Sequence, residues 1–301
     1  MNILRSLGKR LPGPRWGVIS VPYVWLLLFF AIPFLIVLKI SFAKLAIAMP
    51  PYTPILEYID EALTLKLNLG NYTALFTDSQ YIQAYLSSIK IAAISTFLAL
   101  LVAYPIAYVI ARLPPSTRNI AMMLVVLPSW TSFLIRVLAW RPMLGKEGAI
   151  NIILMKAGII QQPIEVLLFT ELSVIIGMTQ IYCVFMVGPI AFMLARIDRN
   201  IIEAARDLGA GFGRIFWKII FPLSLPGVVV GAIFVSVMVL GEFATSGALS
   251  GRKVNLLGNI IVTQVGSLKW AMASVVGVIL TVVMGVVIAG FLRIVDLKRE
   301  L

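Results

Sequence analysis

A chain of 301 residues that is 60% hydrophobic and only 13% charged, with a mean hydropathy of +1.01, cannot be an ordinary soluble domain and belongs in a lipid bilayer. Its net charge of +12 is spread along the flanks of apolar runs rather than gathered into one stripe with interleaved aromatics, which argues against nucleic acid as a partner. A lone Cys183 and the absence of histidine exclude a disulfide framework and any histidine-based metal or acid–base site.

Residues 1–15 carry Arg5, Lys9, Arg10 and Arg15 and no acid, so they read as a cytoplasmic flank. The run from Trp16 to Leu38 is uncharged and long enough to cross a hydrocarbon core of ~30 Å. It exceeds the roughly 7 to 15 residues of a signal-peptide core, so residues 16–44 predict a first transmembrane helix rather than a cleaved leader, despite the small residues Ala46 and Ala48. In residues 45–82 the acids Glu57, Asp60, Glu61 and Asp78 outnumber the bases, which predicts a periplasmic loop; Tyr58 to Leu69 reads as a short amphipathic helix on the membrane surface.

The main body, 83–293, predicts the remaining spans. A second runs from Ile91 to Ala111 and ends at the basic turn of Arg112, Pro114, Pro115 and Arg118. A third is expected from Ile120 to Trp140 as one kinked helix, in which Pro128 removes a backbone hydrogen bond and Ser129, Thr131 and Ser132 satisfy the freed groups. Residues 141–170 return outside, and Leu172 to Ala195 make a fourth span holding Thr179, Gln180 and Tyr182. The fifth, Ile219 to Gly241, contains Pro222, Pro226 and a Gly227-x-x-x-Gly231 pair that permits close helix approach. After an outer loop, Trp270 to Leu292 forms the sixth, followed by Arg293 and a basic tail, 294–301, with Lys298 and Arg299. The fold class is therefore all-α and integral to the membrane, with about six transmembrane helices and both termini inside.

Between the fourth and fifth spans lies NIIEAARDLGAGFGRIFWKIIFPLSLPG, Asn200 to Gly227, and the basic excess of residues 196–218 places this loop inside. Asn200 can cap a helix while Glu203 reaches back to the cap's amide. Ala204, Ala205 and Leu208 give that helix a small apolar side, Glu203, Arg206 and Asp207 keep the rest in water, and Gly209, Gly211 and Gly213 end it. Composition alone leaves two readings open, a solvated loop helix and a docking helix.

Charge near the bilayer is costly and usually functional, which singles out Glu242, about 23 residues or ~35 Å from the inner end of the fifth span, and Arg136, a similar way up the third. Either Glu242 attracts a cation at an outer mouth or the two residues form a structural ion pair. Trp130, Tyr182, Tyr104 and Tyr108 could offer ring faces to an ammonium group, or could pack and anchor helices at the interface. No G-x-x-x-x-G-K-[ST] phosphate loop occurs, so the chain itself does not hydrolyse ATP. A gradient-driven carrier usually has mid-span carboxylates, which this sequence lacks, and a membrane enzyme would need a convergent catalytic set.

The run Glu203-Ala204-Ala205, Gly209, Ile219 and Phe221-Pro222 resembles the EAA loop of ABC importer permeases, departing where Phe221 stands for the family's leucine. PYTPILEYID at 51–60, LNLGNYTAL at 67–75, PSTRNIAMMLVVLPSWTSFLIRVLAW at 115–140 and LGEF at 240–243 extend the resemblance over nearly the whole chain, to the PotB/PotH branch of polyamine importer permeases, nearest the putrescine type. SGALSGRKV, from Ser246 to Val254, departs from the family's Pro-Glu/Asp-Leu-Leu-Gly-Gly pattern. The resemblance implies a MetI-like type I permease fold in a bacterial inner membrane, with residues 198–222 as the coupling loop and Glu203, Ala204, Ala205, Arg206, Asp207 and Gly209 as the ATPase contact. It implies a heterodimer with a second, homologous permease, two copies of a cytoplasmic ABC ATPase holding ATP and Mg²⁺, and a periplasmic polyamine-binding protein. This chain would then bind no cofactor and catalyse nothing itself, passing a polyamine along a path near Glu242, Trp130, Tyr182 and Arg136. The alternatives are a permease for another small cationic or amino-acid-like solute and a gradient-driven carrier.

Overall fold

The computed structural model describes residues 14–59, 62–251 and 253–294. The basic flank through residue 13 and the tail beyond residue 294 lie outside the described residues. By its contacts the chain forms two compact units, residues 1–73 with 264–278 and residues 74–263 with 279–301.

In the first unit, helix α1 runs through Pro14–Leu26, a wide π turn at Leu27–Ala31, and Ile32–Ser41. Its most apolar window is 0% buried. A helix that is apolar all round and uncovered by its own chain is stable only in lipid. The helix end is tied down by polar bonds. Ser41 Oγ donates to the Leu38 carbonyl at 2.6 Å and lies 2.7 Å from the Tyr72 hydroxyl, and Asn71 donates to the Ala43 carbonyl at 2.9 Å.

The amphipathic helix expected from Tyr58 to Leu69 does not form. Leu56–Ile59 (β1) and Ala62–Leu65 (β2) make an antiparallel hairpin with Leu56 opposite Leu65 and Ile59 opposite Ala62. The physical reason is the stretch's short-range alternation, as in Leu63-Thr64-Leu65-Lys66, which suits a strand's period of two better than a helix's 3.6. Helix α2, Gly70–Thr77, follows.

The second unit is built on three long helices, α3 (Ser79–Arg112), α7 (Glu171–Ala195) and α9, which spans Phe212–Ile215, a π turn at Phe216–Ile220, and Phe221–Leu240. These three pack against one another. Small residues make that possible. On α3, Ala84, Ser88 and Ala92, then Ser95, Ala99, Ala103, Ala107 and Ala111, recur every four residues and are all buried. On α9, a Cβ at Gly227 would stand 2.6 Å from the Pro189 carbonyl oxygen of α7, and one at Gly231 would stand 3.0 Å from Met186. The expected Gly-x-x-x-Gly contact is therefore real, and α7 is its partner. Helix α12, Trp270–Ile294, is the last long apolar helix.

The expected third span is broken. Helix α4 (Pro115–Val126) runs into a 3₁₀ turn at Leu127–Trp130, and the chain then redirects into α5 (Phe133–Leu144), so that the two halves meet at 86°. Ser129 Oγ donates to the Val126 carbonyl at 2.6 Å and Thr131 Oγ1 to that of Pro128 at 2.7 Å. These hydroxyls bond the carbonyls of Val126 and Pro128 rather than that of Leu124, four residues before Pro128, which is the group expected to be freed. Thr131 and Ser132 are extended, however, with ψ of 156° and 130°, and this turns a kink into a break. Among the described residues, five helices are thus long and apolar enough to cross a bilayer, or six if the broken pair counts as one span. Helix α6, Ala149–Lys156, follows α5, and beyond it Glu165 pairs with Lys146 at 2.7 Å.

The close contact of α9 with α7 makes two glycines behave differently. Gly227→Ala should cost about 1–3 kcal/mol, because its methyl would meet backbone rather than a yielding side chain. Gly188→Ala, where nothing lies within 4 Å, should leave the melting temperature in lipid-detergent micelles unchanged or raised. Thermal unfolding of the two variants, read side by side, checks this.

Candidate functional site

Helix α8, Arg199–Asp207, occupies the loop between α7 and α9. Its cap is not Asn200, as expected, but Asp198, whose carboxylate accepts from the Asn200 amide at 2.9 Å. Asp198 has the extended ψ of 129° that a cap needs, and its charge suits the positive end of the helix. At the other end Gly209 takes φ +77°; its amide donates to the Arg206 carbonyl at 2.8 Å, and the Ala210 amide to that of Ala205 at 3.0 Å. That pair of bonds is a Schellman motif and explains the glycine.

Only Ile202 of α8 is buried. Ile201, Ala204, Ala205 and Leu208 lie at i, i+3, i+4 and i+7, one apolar stripe, and Leu208 is 88% exposed. Sequence reasoning found three of these four and missed Ile201, which the same periodicity marks. Glu203, Arg206 and Asp207 flank the stripe in solvent. The helix thus buries one residue and shows an apolar stripe outward.

The loop is joined to the long helices by aromatic rings. Phe212, Phe216, Trp217 and Phe221 form a chain of ring contacts, with centroids 5.1 to 6.3 Å apart, that reaches Tyr104 of α3. The Tyr104 hydroxyl lies 2.8 Å from Ser224 Oγ of α9, so these rings bridge α3 and the start of α9. Tyr108 instead sits beneath the Arg112 guanidinium, 5.0 Å from its ring centre. The π turn at Phe216–Ile220, in which the Phe221 amide bonds back to the Phe216 carbonyl, stands just before Pro222. A proline clashes with the carbonyl four residues back, and widening the turn relieves the clash.

A second cluster lies at the other end of α9. The Glu242 carboxylate, 6% exposed, accepts from the Tyr182 hydroxyl and from the backbone amides of Ala244 at 2.6 Å and Thr245 at 2.9 Å. It thereby caps helix α10, Ala244–Leu249, and ties it to α7. The α7–α10 contact is close at Gly177, where a Cβ would stand 2.7 Å from Leu249. Ser173 Oγ adds a bond to the Leu249 carbonyl at 2.9 Å.

Arg136 makes no ion pair with Glu242 among the described residues. It stacks 6.0 Å over Phe133, whose ring is 6.4 Å from that of Tyr182, and it lines a 130 Å³ cavity with Ser129 and Gln180. Its Nε is buried without a hydrogen-bond partner. The structure thus brings Glu242 and Tyr182 into contact, sets Arg136 one ring away, and leaves Trp130 apart, 71% exposed in the 3₁₀ turn.

Residues 95–300 match the family described as binding-protein-dependent transport system inner membrane component. The chain belongs to this family. It is 34% identical over 276 residues to the spermidine/putrescine transport system permease protein PotB of Haemophilus influenzae, covering 91% of this chain and 92% of that one. Its counterpart in Escherichia coli is 34% identical over 272 residues, covering 89% and 93%. Among solved structures, a chain of a bacterial alginate ABC transporter, in complex with an alginate pentasaccharide-bound periplasmic protein, superposes with a TM-score of 0.66 at 16% identity, covering 92% of each chain. That likeness supports the fold. Membership of an inner-membrane family agrees with the multi-pass character of the helices.

The three bonds at Glu242 distinguish an isosteric change from a deletion. Glu242→Gln keeps an oxygen for both amides and offers an N–H to the Tyr182 oxygen, so it should lower stability by less than about 1 kcal/mol. Glu242→Ala strands all three partners and should cost about 2–3 kcal/mol, measured as thermal unfolding of the purified permease in lipid.

Proposed function

We propose that this chain is a membrane-spanning permease subunit of an ATP-driven importer that carries polyamines, putrescine foremost. The observation that carries the reading is the 34% identity, over about nine-tenths of both chains, to permeases named for spermidine and putrescine transport. Only the broader role, a permease of the binding-protein-dependent class, follows from family membership.

In this reading α8 is the coupling helix. Glu203, Ala204, Ala205, Arg206, Asp207 and Gly209 meet a cleft on a separate ABC ATPase, two copies of which hold ATP and Mg²⁺. The exposed apolar stripe and the two capped ends support this, since a rigid-body link needs a helix that keeps its shape under load. Closure of the ATPase pair moves α8, and the rings from Phe212 to Tyr104 carry the motion to α3 and α9. The cavity then opens outward to accept a polyamine from a periplasmic binding protein, and hydrolysis resets it. A second, homologous permease completes the path, with this chain contributing Glu242, Tyr182 and Arg136 near the outer end. Trp130 has no place in that cluster and is better assigned to an interface, whether with lipid or with protein. Both termini and the α8 loop face the cytoplasm.

Ala204→Glu and Ala205→Lys test the coupling. With the whole assembly and binding protein in proteoliposomes, each should lower putrescine uptake at least about tenfold while the permease still assembles and the basal ATPase rate survives. Unchanged uptake in both variants would remove α8 from the coupling path. Uptake of neither putrescine nor spermidine by the wild-type assembly would remove polyamines as the cargo.

A further inference from the structure

Helix α11, Leu257–Gly266, leads into α12 through the turn Ser267, Leu268 and Lys269. Two bonds close α11, from the Leu268 amide to the Val265 carbonyl at 3.0 Å and from the Lys269 amide to that of Gln264 at 2.9 Å. This is the Schellman pattern that also ends α8, and the residue just past the helix takes a left-handed backbone in it. At α8 that residue is Gly209; here it is Leu268, with φ +58°. A leucine rarely adopts this conformation, and the Leu268 side chain is half exposed. Neither backbone preference nor burial by its own chain accounts for a leucine there.

Leu268 lines a hollow that shows the same excess of uncovered apolar groups. Just past the end of α1 the chain folds back on itself over residues 44–53. The Lys44 amide donates to Thr53 Oγ1 at 3.1 Å, the Thr53 amide to the Lys44 carbonyl at 2.9 Å, and the Ala46 amide to that of Pro51 at 3.4 Å. These bonds hold the tip in place, yet Ile47 and Met49 are almost wholly exposed and Leu45 is half exposed. Together with Leu268 these side chains line a hollow of 460 Å³, whose lining also includes Ser267 and Lys269. Single exposed apolar residues need no explanation, but four around one hollow mark a surface that something covers.

Position and charge say what covers it. Helix α1 ends at Ser41, three residues before Lys44, and α12 starts at Trp270, immediately after Lys269, so the hollow lies where two apolar helices reach their ends. The Tyr52 ring stands 6.5 Å from that of Trp270, a Tyr–Trp pair of the kind that sits at headgroup depth. Lys44 and Lys269 are both exposed, and neither meets a carboxylate among the described residues. Two unpaired ammonium groups beside a cluster of aliphatic side chains complement a molecule that is anionic at its head and apolar below it. We propose that this hollow is a phospholipid site, with Lys44 and Lys269 on the phosphate and the upper acyl chain against Leu45, Ile47, Met49 and Leu268. The leaflet concerned is the outer one in the orientation given above, and the site does not depend on which solute is carried.

The test places an environment-sensitive fluorophore at position 47 of the full-length permease, through Ile47→Cys in a Cys183→Ser background, since Cys183 is the single cysteine. The protein is held in nanodiscs of phosphatidylglycerol and phosphatidylcholine. Nitroxide carried high on the lipid acyl chain should quench the label at least about twofold, while aqueous iodide quenches it no more than a label at Leu35→Cys within α1. Lys44→Glu combined with Lys269→Glu should cut the nitroxide quenching by about half. Leu268→Gly should cut it too, yet leave the melting temperature in lipid-free detergent unchanged or raised, because the glycine relieves the backbone. Iodide quenching as strong as at Asp207→Cys on exposed α8 overturns the site. So does nitroxide quenching that the charge reversals do not change, or protection from iodide that arises only when a periplasmic binding protein is added, which would give the patch to a protein partner. A lower melting temperature for Leu268→Gly would mean that packing alone keeps the leucine, and would likewise overturn the proposal.

Discussion

The close approach of α3, α7 and α9 is the constraint on which the rest of the structure depends. Lipid tails are as apolar as leucine, so no hydrophobic force draws these helices together, and their contact rests on dispersion between backbones that come unusually near. The chain supplies the nearness with a seam of alanines and serines on α3 and with Gly227 and Gly231 on α9. The functional features hang from that frame. Tyr104 and Ser224 meet only because α3 and α9 are close, and Tyr182 reaches Glu242 only because α7 lies alongside α9.

The two ends of α9 are handled by different physics. Near α8 the contacts are aromatic and the backbone is widened by a π turn before Pro222, and α1 has the same device, a π turn at Leu27–Ala31 just before Pro33. At the opposite end the contacts are hydrogen bonds converging on one carboxylate, which caps α10 and fastens it to α7. Rings in contact can slide by fractions of an ångström at little cost, whereas a carboxylate with three short bonds holds one geometry. The aromatic end is thus the compliant one and the Glu242 end the fixed one.

Much of this was legible in the sequence, because membrane spans are set by length and hydropathy and those signals are strong. The positions of α3, α7, α9 and α12 and the glycine contact on α9 follow from it. The break at Thr131 does not, since a proline with nearby hydroxyls reads the same whether the helix bends or stops. The pairing of Leu56–Ile59 with Ala62–Leu65 is written only in a short alternation at Leu63 to Lys66, too brief to outweigh the helical reading of the longer Tyr58 to Leu69 stretch. In the loop, the helix and its glycine end were readable, but Asp198 outcompeted Asn200 for the cap, two candidates that differ only by register. The partner of Glu242 was hidden because Tyr182 lies 60 residues away, and pairings that distant are set by packing rather than by any local pattern.

The fixed ends of α8 have one further consequence. Asp198 and Gly209 hold the helix in shape although it buries little more than Ile202. A surface that closes over it therefore meets a helix whose backbone is already ordered, and the association free energy is not drawn down by folding the ligand on contact. Such preorganisation would let a contact patch of a few small side chains remain specific in the docking proposed for α8, since no part of the binding free energy goes into ordering the helix.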